Sequence, residues 1–195
     1  MSLDLAHLDD RSRQFMLAEL DAEVEAESLY LSPQLSETAR CHYRRLVHIE
    51  IRHGTEESFA EALGALGAVR PPSKWQHPKE VGPAEALADA TFRLAEREFH
   101  HFYIRGLCCR ALEQGIDLLV IYRARPADLG RAPTDSMIGL RIDARSLLED
   151  LRGAFRSLPP HGLPQCRDPG LSIRFPDERV GHGHDARLAQ RSTVR

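Results

Sequence analysis

Apolar positions recur along this chain with helical spacing through most of its length. In DDRSRQFMLAELDAEVEAESL the residues Met16, Leu17, Leu20 and Val24 fall on one stripe, which predicts an amphipathic helix. Asp9, Asp10 or Ser12 can cap its start. The acids Glu19, Glu23, Glu25 and Glu27 lie beside or opposite the stripe and read most simply as a solvated face. Ser32-Pro33 breaks the pattern, because proline disfavours helix for the residue before it. Ser36 then caps a second helix, ETARCHYRRLVHIEIRH.

The end of that segment is ambiguous. Val47, Ile49 and Ile51 alternate with His48, Glu50 and Arg52 as in a strand, whereas Leu46 is placed for a helix with Tyr43 and Ala39. Gly54 as a stop favours helix. Thr55 caps a short helix, EESFAEALGAL, with acids in its first turn.

RPPSKWQHPKEVGP carries four prolines and the only tryptophan, Trp75, and reads as a crossing anchored by that ring. From Ala84 to Gln114 the pattern is helical again, with Pro83 suited to the first turn and Gly115 to the stop. Leu118 to Tyr122 reads as a buried strand, and a short apolar piece spans Met137 to Ile142. Asp143 caps the helix ARSLLEDLRGAF. In GLSIRF, Leu171, Ile173 and Phe175 alternate with polar residues, the pattern of a half-buried strand. The remainder, DERVGHGHDARLAQRSTVR, lacks large apolar residues and reads as a disordered tail.

The predicted fold is α+β. A helical N-terminal half packs with a small two- to three-stranded sheet and a long central helix. The parts are a helical segment 1–69, a proline-rich crossing 70–83, an α/β part 84–175 of the same domain, and a tail 176–195.

The central helix carries the densest chemistry, in REFHHFYIRGLCCRALEQG. Stepped at 100° per residue, Phe99, Tyr103, Leu107, Ala111 and Ile104 fill one broad arc that takes in His100. Phe102 and Cys109 extend the arc on one side, Leu112 and Cys108 on the other. Phe99, Phe102, Leu107 and Leu112 should therefore be core. Gly106 falls within the apolar surface and suits a close helix contact. Cys108 and Cys109 point about 100° apart and cannot easily share a target. Buried free cysteine is commonly a small apolar residue, and His100 reads as a neutral, hydrogen-bonded core histidine.

Composition narrows the functions without choosing one. A net charge of -3 over 195 residues lacks the basic bias of a dedicated nucleic-acid binder. Lysine occurs only at Lys74 and Lys79, so nearly all positive charge is arginine. No run approaches the roughly 20 apolar residues of a membrane span. The polar N-terminus and unpaired cysteines suggest a reducing, cytoplasmic setting. No Walker loop, G-x-S-x-G elbow, G-x-G-x-x-G or H-E-x-x-H occurs.

Two patterns remain as candidate sites. Glu50-x-x-His53 and Glu98-x-x-His101 are both E-x-x-H, and two such pairs with a glutamate from each of two other helices build carboxylate-bridged di-metal sites. Glu23 or Glu27, with Glu57 or Glu61, would complete the set. Against this, Glu50 and His53 sit at a helix end, and the plainer reading is two solvated turns. Arg123, Arg125, Arg131 and Arg141 near the sheet are the candidate anion or nucleic-acid contacts. His182-Gly-His184 in the tail and Cys166 near His161 are weaker signals.

LYLSPQLSETARCHYRRL, TEESFAEAL, EFHHFYIRGLCCRALEQGIDLLVIYRA, IGLRIDARSLLEDLR and PGLSIRF together resemble a group of uncharacterised bacterial proteins. The similarity extends over about Leu29 to Phe175 and implies no activity and no functional residues. The sequence thus leads to a non-enzymatic interaction or structural protein of a bacterial accessory or phage-related system, without cofactor. Its expected partner is protein, including further copies of itself, with nucleic acid as the open alternative. The rival readings are a metal-binding helical protein or oxidoreductase built on the two E-x-x-H pairs, and a nucleic-acid-binding module built on the four arginines.

Overall fold

In the computed structural model of the chain, the described residues are 2–69, 82–126, 136–153 and 170–176. Helices α1 (Asp10–Glu25), α2 (Glu37–His53) and α3 (Glu56–Ala65) come first. A 31-residue helix, α4 (Pro83–Glu113), follows them. The rest is β1 (Leu118–Arg123), β2 (Arg141–Asp143), α5 (Ala144–Gly153) and β3 (Leu171–Arg174). The architecture is α+β, with a helical N-terminal half and a long central helix.

The helix boundaries follow from local chemistry. Asp9 Oδ1 accepts the Ser12 amide at 2.9 Å and Ser36 Oγ accepts the Ala39 amide at 3.2 Å, so each start satisfies one otherwise orphaned donor. Thr55 and Ser58 exchange side-chain and backbone bonds at the start of α3. Asp143 ends β2 and at once caps α5 through the Ser146 amide. Past the end of α4, Gly115 takes φ +72°, a conformation that a Cβ would strain. The alternating run Val47 to Ile51 is helix. Val47 and Ile51 are buried one turn apart, while Ile49 faces out at 44% exposure.

α4 is the hub. It packs on α1, α3 and α5 and touches β1 and β3. Phe99, Phe102 and Leu107 are buried as expected, and Leu112 is half-buried at the periphery. Gly106 sits where α1 crosses. A Cβ there would lie 2.7 Å from Met16 Cγ and 2.8 Å from the Met16 backbone nitrogen. Gly106→Ala is therefore expected to push the helices apart and cost about 1–3 kcal/mol. Gly64→Ala on α3 is expected to stabilise by about 0.5–1 kcal/mol, because nothing lies within 4 Å of its Cβ position. Denaturant melts of the two variants should shift in opposite directions.

The three strands form one antiparallel sheet in the order β2-β1-β3. Val120 lies opposite Arg141 on one side and Arg174 on the other. Two sequence expectations change here. Leu118, expected to be buried, is 40% exposed at the strand's start. β3 is not half-buried, since Leu171, Ser172 and Ile173 are all covered. Its polar position is closed over because the Ser172 hydroxyl meets His100 Nε2 of α4 at 3.0 Å. Across the sheet's end runs the N-terminal segment, residues 3–9. The Leu3 amide donates to Glu56 and the Asp4 amide to the Ala124 carbonyl. The Tyr122 hydroxyl donates back to the Asp4 carbonyl. His7 accepts the Phe175 amide at 3.2 Å.

Candidate functional site

α4 is apolar around most of its surface but carries one polar stripe: Glu98, His101, Arg105 and Cys109 follow each other at spacings of three and four, hence on one side of the helix. On α1, Glu19 and Glu23 are also one turn apart. The two stripes meet inside the protein. Arg105, 2% exposed, donates to Glu19 Oε2 from Nε at 2.8 Å and from Nη2 at 2.6 Å, and its Nη1 donates to Glu23. Glu19 also receives Arg152 of α5 and the Cys109 thiol, the latter at 3.2 Å. Glu19 and Glu23 are thus not a solvated face. Their partners come from 82 or more residues further along the chain, out of reach of any local pattern.

The electrostatics follow from burial and pairing. Burial alone would raise the Glu19 pKa, but the Arg152 hydrogen bond and the Arg105 charge pull it down to about 2. Glu23 moves upward because burial outweighs the attraction of Arg105. Glu98, 2% exposed, is raised by burial against the pull of Arg97, whose Nη2 lies 2.9 Å from it. Burial, reinforced by Arg105, drives His101 down to about 3, so the ring is neutral. Burial, with Arg125, does the same to His100, down to about 4. Burial pushes the Cys109 thiol up to about 12 and the Cys108 thiol higher still, which removes both as nucleophiles at neutral pH.

The sequence candidates separate in space. Glu98 and His101 lie in the polar stripe. Glu50 instead accepts the Ser58 hydroxyl at 2.5 Å in the corner between α2 and α3. His53 is exposed at the last residue of α2. The Arg105 guanidinium reaches Glu23 and lies 3.4 Å from His101 Nε2, and so brings a positive charge where a carboxylate-bridged site would need its ion. Among the described residues no group of three or more His, Cys, Asp or Glu is placed to hold a metal. Glu27, Glu57 and Glu61 are exposed.

Of the arginines, Arg125 is engaged bidentately by Glu96 at 2.9 and 3.0 Å. Arg123 is half-buried at the end of β1 opposite Leu171, and Arg141 is exposed on β2. Arg131 lies outside the described residues, as do Trp75, His161, Cys166, His182 and His184. Arg110, which sits in the apolar arc of α4, pairs with Asp9 and stacks on Phe175 at 5.1 Å.

A second feature opens to the surface. Between α3 and α4 runs a groove of about 620 Å³, its walls including Ala60, Gly64, Leu87 and Phe92 and its polar rim Glu57 and Glu61. The Thr91 hydroxyl in its wall is already committed to the Leu87 carbonyl at 2.8 Å. Periodicity alone had no means of finding this groove, since it is a gap between helices separated in sequence by the 70–81 segment.

No protein-family model, no curated protein and no solved structure matches the chain. Among the described residues, no helix is long and apolar enough to cross a membrane.

Proposed function

We propose that this chain is a non-enzymatic interaction protein that offers the α3/α4 groove to a protein partner. The observation that supports this is the groove itself: apolar, open, and poor in hydrogen-bonding groups that could orient a small molecule. The rival readings have less support. The charged groups of the interior are engaged with one another. Arg105 takes up Glu19 and Glu23 beside His101, and Glu96 takes up Arg125. A role in a bacterial accessory or phage-related assembly belongs to the same proposal.

Gly64 supplies the test. A leucine there meets no atom within 4 Å at its Cβ and extends into the groove. Gly64→Leu is expected to hold or raise the melting temperature while blocking the groove. A photo-crosslinking amino acid at Ala88, on the groove wall, should trap a protein in living cells, and Gly64→Leu should abolish the adduct. Absence of any adduct, or an adduct indifferent to Gly64→Leu, would overturn the reading.

A further inference from the structure

This inference rests on the reading of the α3/α4 groove as a docking surface and names what enters it. Most of the groove's lining belongs to α3 and α4, whose backbone groups are satisfied within each helix, with Gly67, Ala68 and Val69 closing one end, so the two long walls offer no ladder for an extended strand. A segment buried there must satisfy its own backbone, as a helix does. The polar rim, Glu57 and Glu61, is acidic and one turn long on α3, and both carboxylates are exposed. The complementary occupant is therefore a helix with an apolar anchor flanked by cations.

The same molecule displays a helix of the required kind. The outward face of α2 carries Ile49, 44% exposed, with Arg45 four residues before it and Arg52 three residues after it. Arg44, Arg45, His48 and Ile49 border a shallow depression of their own. Arg45 and Arg52 are exposed, and among the described residues none of Arg45, Arg52, Glu57 and Glu61 makes an ion pair. Because Val47 and Ile51 turn the other side of α2 into its own core, Ile49 points away from the protomer that carries it.

We propose that the outward face of α2 in one copy seats in the α3/α4 groove of a second copy, with Ile49 as anchor and Arg45 and Arg52 facing Glu57 and Glu61. The two surfaces differ, so the contact is head-to-tail, and association extends with concentration unless the ring closes. It weakens with added salt.

Sedimentation velocity of the purified full-length chain tests this. The weight-average mass should rise with concentration and fall in high salt. Ile49→Asp, the pair Glu57→Arg/Glu61→Arg, and the pair Arg45→Glu/Arg52→Glu should each sediment as one chain. Mixing the two charge-reversed pairs should restore assembly, because each groove then meets a helix of opposite charge. A wild type that stays monomeric at every concentration, or a mixture that fails to reassemble, overturns the proposal. The Ala88 crosslink separates the two levels. An adduct with a different protein retires the second copy as occupant and keeps the docking reading. An adduct with residues 70–81 of the same chain retires both.

Discussion

Arg105→Ala is expected to cost about 3–5 kcal/mol of folding stability, the range for removing one partner of a buried ion pair. The side chain is 2% exposed and is a main counter-charge for Glu19 and Glu23. Its loss leaves Arg152, which is half exposed, to hold Glu19, and leaves Glu23 buried beside another carboxylate. The sequence would tolerate an apolar substitute far better if the charges left together. Arg105→Leu combined with Glu19→Leu and Glu23→Leu should recover most of the loss, because desolvating an ion pair largely cancels its attraction. Urea denaturation of the three chains measures this. An Arg105→Ala variant within 1 kcal/mol of wild type would mean that water reaches the cluster.

His100 and His101 should make the fold sensitive to acid well before ordinary carboxylates titrate. His100 and His101 have folded pKa values of about 4 and about 3, below the unfolded value of 6.5, chiefly through burial. A lowered histidine pKa means that the unfolded chain binds the proton first. The stability contributed by each neutral ring is complete above pH 6.5. It is lost as pH falls from there, by about 1.4 kcal/mol per pH unit per histidine. Glu23 and Glu98 oppose this, since their raised pKa values make the folded chain gain protons as pH drops toward 4.5. The histidine contribution to the slope between pH 6.5 and 4.5 is positive, so the slope should be less positive in a His100→Gln/His101→Gln chain than in the wild type. Thermal melts across that range decide it, and an unchanged slope in the double variant would count against neutral buried rings.

Local pattern carried most of the fold and little of the site. Asp9, Ser36, Thr55 and Asp143 each cap the helix that their side-chain chemistry suggests, because capping depends on three or four adjacent residues. Gly106 as a point of close approach was legible for the same reason, on an arc drawn from α4 alone. The acids of α1 were not. An i,i+4 pair of glutamates beside an apolar stripe looks the same whether water or a distant arginine faces it, and Arg105 lies 86 residues beyond Glu19. Ser172 misled likewise, since strand alternation marks a polar position but cannot reveal that His100 waits on the other side. The visible clue was the stripe Glu98, His101, Arg105, Cys109 on a helix otherwise apolar. A polar line inside a buried helix calls for a matching line elsewhere.

The arrangement of β3 and residues 3–9 sets the order in which these elements can come together on a ribosome. β1 holds its place through β2 and β3, and β3 begins at Leu171, 48 residues after β1 ends at Arg123. Residues 3–9, made before either partner, find Ala124 and Phe175 only when those have been synthesised. The helices can gather early around α4, yet the interior-facing His100 has no Ser172 until β3, 72 residues further on, has been made. Closure is thus a late, long-range event. It favours slow final consolidation and leaves β1 open to wrong pairing while translation continues.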